Sequence, residues 1–292
     1  MNPFRTAAPA ATPAANDPLQ GALALRAEGR LQEALNLLSP PSEFSADFYI
    51  LRGDLQLELG LLEDAADSYA TVTAEQPHDV FAQGKLGRCL HRLELWESAA
   101  RAFEAVLQFD PHRDEVRLDL AGCLLRLRRF EAALECFDKC WSDGVRRRAL
   151  FGKAAALQLL RRFDEAEEHY ERLLAIDPGA EEALANLIAM SMEVFELARV
   201  QKYSQRLLEI NSRSTVALKG LALAAIERRD YPAAARHFYQ AAELDPAITR
   251  PPQDPSEAVE YRISRKVFES LEEARRKIKV RAAHSSSGAA PR

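Results

Sequence analysis

Cysteine is rare in this chain: Cys89, Cys123, Cys136 and Cys140 are the only four in 292 residues. That is too few for a disulfide framework. Glycine is also sparse, at 12 residues, and none of it forms a Gly-rich phosphate loop following a strand. No segment approaches the roughly 18 uninterrupted apolar residues of a membrane span, because Arg, Glu or Asp interrupts every helical stretch. The N-terminal MNPFRTAAPAATPAANDP lacks the apolar run of about 7–15 residues that a signal peptide needs. These absences lead us to expect a cytoplasmic chain without a membrane span. With 39 Lys plus Arg against 44 Asp plus Glu, the net charge of −5 provides no global basic field. Nucleic acid is therefore not an expected partner. Lysine supplies only 8 of the 39 basic residues, and no stretch reads as a convincing strand. The remainder is helical vocabulary.

What is present is a period. Pro77, Pro111, Pro178 and Pro246 are spaced by 34, 67 and 68 residues, about one or two multiples of 34. Asp110, Asp177 and Asp245 precede the last three. Other slots keep the same phase. Twelve residues before each Pro stands Ala65, Ala99, Ala166 or Ala234; eight before it stands Tyr69, Phe103, Tyr170 or Phe238. Twenty-four before it stands Gly53, Gly87, Ala154 or Ala222. Apolar residues recur at three- and four-residue steps in two bursts per period, which predicts two antiparallel helices per unit. The small residues let the two helices approach, the aromatic fills the space beside them, and Pro stops the second helix.

This pattern resembles the tetratricopeptide repeat family, whose 34-residue helix-turn-helix places a small residue in helix A, an Ala and an aromatic in helix B, and a Pro at the unit's end. The resemblance covers about 80% of the chain. It implies an all-α, right-handed α-solenoid of about seven repeats, at 15–45, 46–79, 80–113, 114–146, 147–180, 181–214 and 215–248 (together 15–248). The fourth ends one residue short in Trp141-Ser142-Asp143-Gly144, and the sixth has Ile188, Val200 and Ser204 in the small, Ala and aromatic slots. After Pro246, residues 249–283 read as a Pro-rich connector and an amphipathic helix from Ser256 to Ala283, with Val259, Ile263, Val267, Leu271, Ala274 and Ile278 in one stripe. We expect that helix to cap the stack. Residues 1–14 and 284–292 lack apolar periodicity and are expected to be disordered.

Residues that could carry chemistry follow the repeat. Cys89 and Cys123 lie 34 apart in the same slot, and Cys140 sits where the family places Ala. His78 and His112 occupy equivalent loops, His169 and His237 equivalent helix B positions. No His pair has metal-binding spacing on one helix, so neither an active site nor a cofactor is expected.

Stacked helix pairs leave helix A residues lining a concave face. Projecting the repeat puts Phe81, Lys85, Arg88, His91 and Arg92 there from the third unit, Leu118, Asp119 and Arg126 from the fourth, and Arg148 and Phe151 from the fifth. Arg forks that pair with carboxylates, set among apolar side chains, suit an acidic and partly apolar peptide. Arg146, Arg147 and Arg148 cluster at the expected start of a helix A, where the macrodipole disfavours cations by about 0.3–1 kcal/mol each. The family's clamp for chaperone C-terminal carboxylates is not in register: Lys219 is followed by Leu223, and Asn186 by Val216 and Gly220. The reading that results is a non-catalytic adaptor binding a protein segment. Its rivals are a regulatory or substrate-recruiting subunit of a protein-modifying enzyme, a secretion or assembly chaperone, and a homodimer formed through the C-terminal helix.

Overall fold

The computed structural model describes residues 17–38 and 44–245, together with Glu269. The expected capping helix from Ser256 to Ala283, Pro246 and both terminal tails lie outside the described residues. Fourteen α-helices occur among the described residues, following one another as pairs. They are α1 (Pro18–Ala27) with α2 (Leu31–Leu37), α3 (Ala46–Glu58) with α4 (Leu62–Glu75), α5 (Val80–Arg92) with α6 (Trp96–Phe109), and α7 (Asp114–Arg126) with α8 (Phe130–Asp138). After these come α9 (Asp143–Leu159) with α10 (Phe163–Ile176), α11 (Glu181–Glu193) with α12 (Leu197–Ile210), and α13 (Thr215–Glu227) with α14 (Tyr231–Leu244). The chain divides into two compact units between Ala149 and Leu150, within α9. Within each, helices pack on their sequence neighbours, and alternate helices such as α5 and α7, or α11 and α13, also touch. This is the helix-turn-helix stacking of an α-solenoid.

Helix starts follow local chemistry. Asp79 accepts from the N–H groups of Phe81 and Ala82, both at 2.9 Å, satisfying two donors that α5 leaves open. Ser45 caps α3 and Ser214 caps α13 in the same way, and Asp17 caps α1 ahead of Pro18. The turn inside each pair is also uniform. In the α5–α6 turn the Leu95 N–H donates to the Leu90 carbonyl at 2.9 Å and the Glu94 N–H to the His91 carbonyl at 3.1 Å. That is a Schellman ending, which puts its penultimate residue in the left-handed region. The first two turns place Gly29 and Gly60 there, at φ 76° and 79°. The later ones hold Glu94, Arg128, Arg161, Phe195 and Arg229 at φ 59° to 61°.

The repeating slots form the core. In the first unit Ala99, Phe103, Ala121, Cys123, Ala133, Phe137 and Cys140 are buried in one cluster. Gly53 and Gly87 face the rings of Tyr69 and Phe103 so closely that a methyl group on either would stand 2.8 Å and 2.6 Å from ring carbon. In the second unit Ala222, Ala234 and Phe238 play the same parts. The sixth repeat compensates for its missing aromatic: Ser204 is buried in that slot, and the neighbouring Tyr203 turns its ring inward, its hydroxyl donating to Glu167 at 2.5 Å and reaching Glu171 at 2.9 Å.

The fourth repeat departs most. α8 has 9 residues where α6 and α10 have 14, and α9 begins at Asp143, ahead of the boundary expected at residue 147. The cause is Asp114, whose carboxylate accepts from the N–H groups of Trp141 and Ser142 at 3.0 and 2.8 Å. Arg117 braces the same loop, pairing with Asp114 at 2.5 Å and donating to the carbonyls of Pro111 and Lys139.

Candidate protein-binding surface

The residues expected to share one recognition face come from α5, α7 and α9, but they do not all remain available. In the first unit, Phe81 is 46% exposed at the start of α5. Lys85, one turn on, holds its ammonium 5.1 Å from the Phe81 ring centroid and pairs with Asp54 at 2.9 Å. Asp54 also accepts from the Tyr69 hydroxyl at 2.5 Å and lies 3.6 Å from Arg26. Burial, followed by that hydrogen bond, pushes the Tyr69 phenol far above its usual range. Lys85 is thus bound into a network joining the first three repeats.

Arg88 is likewise engaged, with its Nε 3.2 Å from Asp119 of the next repeat. Arg148 pairs with Glu115 at 2.5 Å. Leu118, expected as an apolar anchor, belongs to the core at 9% exposed and offers nothing to a ligand. In the second unit Phe151 is half-buried and meets Tyr170 edge to face at 5.9 Å.

The arginine cluster carries none of the expected repulsion. Because α9 starts at Asp143, an acidic residue occupies its first turn and Arg146 to Arg148 follow beyond it. Arg146 lies 3.9 Å from Asp143, and Arg148 has Glu115. Sequence reasoning misplaced the helix start because the Asp114 brace that sets it lies 28 residues from Ser142.

What stays open is a cluster at the ends of α5 and α7. The Arg126 guanidinium stands 5.0 Å over the Trp96 ring, and His91 meets the same indole edge to face at 4.9 Å. Arg92 is exposed beside them. Neither Arg92 nor Arg126 forms a carboxylate pair among the described residues. Trp96 was not expected on this face, since its position at the head of α6 reads as helix packing. The signal that could have found it is the 34-residue phase of Arg92 and Arg126, which stacks two cations at the same corner.

Among the described residues no group of three or more His, Cys, Asp or Glu side chains could hold a metal ion. The four cysteines are free thiols, and desolvation raises Cys89 to about 11, Cys123 to about 12 and Cys140 to about 11. No helix among the described residues is long and apolar enough to cross a membrane.

A solenoid of two-helix repeats exposing ligand-sized side chains on its A helices defines a class of interaction scaffold. Sequence models of the tetratricopeptide repeat match residues 50–114, 90–150 and 147–180, and the chain is a tetratricopeptide-repeat protein. No curated protein matches it. Among solved structures it is similar to the C-terminal part of a TPR repeat-containing protein from Cytophaga hutchinsonii, at 14% identity and TM-score 0.68, covering 87% of this chain and 99% of that one. It is also similar to Pseudomonas aeruginosa pilF, at 18% identity and TM-score 0.56, covering 74% and 95%. A crystal structure of MamA matches at 20% identity and TM-score 0.52, covering 55% and 94%. At these identities the likeness is one of fold. The repeats make the protein a scaffold for protein–protein interaction.

Proposed function

We infer that this scaffold acts as a non-catalytic adaptor, binding an acidic and partly apolar segment of a partner protein along α5 and α7. The observation that carries this reading is the pair Arg92 and Arg126, two cations in equivalent positions of consecutive repeats without carboxylate partners among the described residues. Exposed Phe81 supplies an apolar contact at the other end of α5, and Trp96 with His91 supplies an aromatic surface beside Arg126. Guanidinium groups bind carboxylates with charge-assisted, forked hydrogen bonds, and buried aromatic anchors dominate interface energetics. Lys85, Arg88 and Arg148 are already neutralised by Asp54, Asp119 and Glu115 respectively, so they hold repeats together more than they recruit a ligand.

The test is affinity capture from native lysate with mass spectrometry, comparing the wild-type chain with Arg92→Glu/Arg126→Glu. Proteins captured by the wild type and lost from the variant, with the variant's helical content and melting point unchanged, are the expected result. The same set on both baits would remove recognition from this face.

A further inference from the structure

The A helices of the second unit leave a different kind of surface open from those of the first. Ala155, Ala189 and Leu223 stand 34 residues apart, at the same position of α9, α11 and α13. Ala189 is exposed and the other two are half-buried. In the first unit the matching position of α5 holds Arg88, which is paired with Asp119. One turn further along, Gln158, Met192 and Ile226 repeat at the same interval and are half-buried. Residues three or four apart share one face of a helix, so α11 and α13 each leave an apolar strip partly open. These two helices touch, which sets their strips side by side. The polar groups close to them are already engaged. Gln158 accepts from the Tyr170 hydroxyl at 3.1 Å, and the Asn186 amide donates to the same hydroxyl at 2.9 Å. The surface left to a ligand is apolar, with the small side chain of Ala189 at its middle, where another helix can approach closely.

The described repeats end beside this face. Lys219, one turn before Leu223 on α13, is half-buried. Burial lowers its pKa although the charge of Asp245 acts to raise it, so Asp245, where α14 has just ended, lies within electrostatic reach of the strip. From there residues 246–255 lead to the stretch 256–283, which carries the apolar stripe of Val259, Ile263, Val267, Leu271, Ala274 and Ile278. At about 3.3–3.6 Å per residue, ten linking residues reach about 33–36 Å, several times the 8–10 Å or so between packed helices. Glu269 belongs to this stretch and is helical and exposed. At about 100° per residue it stands about 200° around a helix from both Val267 and Leu271. A helix that exposes Glu269 therefore turns its apolar stripe the other way, toward whatever it covers.

We propose that the C-terminal stretch 256–283 folds back over the open face of α11 and α13, laying its apolar stripe on Ala189, Met192, Leu223 and Ile226 instead of stacking on α14 as an end cap. The chain's own segment is then the occupant of the second unit, and an external helix has to displace it to bind there. The face of α5 and α7 in the first unit is left as the one open to a partner. This assignment does not rest on the peptide-binding reading of that face, and the two are tested separately.

Photo-crosslinking of the full chain tests it, with p-benzoyl-phenylalanine in place of Val267, Leu271 or Glu269 in turn and the linked peptides identified by mass spectrometry. Probes at 267 and 271 are expected to attach to α11 and α13, and the probe at 269 to neither. Mixing isotopically light and heavy chains shows whether a link lies within one chain. Each probe is repeated with Ala189→Arg, which fills the middle of the face at an exposed position. The links to α11 and α13 are then expected to be lost, while the circular dichroism spectrum stays unchanged. Links from 267 and 271 to α14 alone would mean an end cap, and links between light and heavy chains would mean a second copy; either result overturns the proposal. So do links that survive Ala189→Arg, labelling of the face from 269 as strongly as from 267, and the absence of any link from 267 and 271.

Discussion

The Phe103 ring lies so close to Gly87 that a methyl group on the glycine would stand 2.6 Å from its Cε1. Phe103 is fully buried in the core cluster of the first unit. Gly87→Ala gains helix propensity of about 0.8–1.0 kcal/mol but must push that ring. Gly87→Val adds further bulk, for which overpacking costs about 1–3 kcal/mol. We expect Gly87→Val to lower stability by about 2 kcal/mol, read as a shift of the denaturant midpoint. The control is Gly84→Ala on the same helix, where the nearest atom is 4.0 Å away and the propensity gain should appear undiluted. Equal effects at both sites would refute the packing argument.

This contact was legible before the structure, because a small residue 16 positions ahead of an aromatic recurs at the repeat period in Gly53 with Tyr69 and Gly87 with Phe103. Packing at a repeated interface leaves a repeated trace. The recognition surface did not, and for a physical reason. Whether Arg88 is free depends on Asp119 in the next repeat, and whether Lys85 is free depends on Asp54 in the previous one. Pairing partners about 31 residues apart are set by the stacking of particular side chains and by no periodic pattern. Leu118 misled because a helix A position reads as concave until its neighbours are placed. The Trp141 loop was visible only as a missing residue, since nothing in the local sequence says that Asp114 will pin it.

The left-handed turn residue yields a second prediction. Five of the seven turns within helix pairs among the described residues put Glu94, Arg128, Arg161, Phe195 or Arg229 at φ near 60°, where a Cβ costs about 1–2 kcal/mol. Gly29 and Gly60 avoid that cost. Part of the gain from glycine is offset by the greater entropy of its unfolded chain. Glu94→Gly, Arg128→Gly and Phe195→Gly should each stabilise the protein by about 0.5–1 kcal/mol. Phe195 is the most informative, because its ring is 73% exposed and little packing is lost with it. A lower melting temperature in all three variants would show that the turns are relaxed as they stand.

Ion pairs between consecutive repeats should differ sharply in worth. Asp54 is largely shielded and serves Tyr69, Lys85 and Arg26 together. Its removal takes the carboxylate from Lys85 and the acceptor from the Tyr69 hydroxyl, while Arg26 keeps Glu58, and breaking such a pair costs about 3–5 kcal/mol when fully buried. For this partly shielded site we expect Asp54→Ala to cost about 2–3 kcal/mol. The Glu97–Arg129 pair spans the next interface at 3.2 Å, but both side chains are about half exposed. Glu97→Ala should cost at most about 1 kcal/mol, as is usual for solvent-exposed pairs. Urea unfolding of the two variants at low and high salt separates the cases, and similar losses would mean that shielding does not decide them.

Asp114 links stability to pH. Desolvation alone would raise its pKa, but the N–H groups of Ser142 and Trp141, the Ser142 side chain and the Arg117 charge outweigh it and hold the carboxyl below its ordinary value. A carboxyl depressed on folding stabilises the native state above its unfolded pKa, about 3.9 for Asp, and that contribution disappears as pH falls through the lower folded value. At neutral pH, Asp114→Asn should therefore be less stable than the wild type, since a neutral amide accepts more weakly from the two N–H groups and leaves Arg117 without its charge partner. As pH falls below about 4, the two proteins should converge, because the wild-type carboxyl becomes neutral as well. Thermal melts of both proteins across that range measure the gap, and a difference independent of pH would mean that shape rather than charge pins the loop. Trp141 adds a local readout. If the order of its loop depends on the Asp114 charge, the fluorescence anisotropy of Trp141 in a Trp96→Phe background should fall over the same pH interval in which the stability gap closes, and should already be low at neutral pH when Asp114 is replaced by Asn.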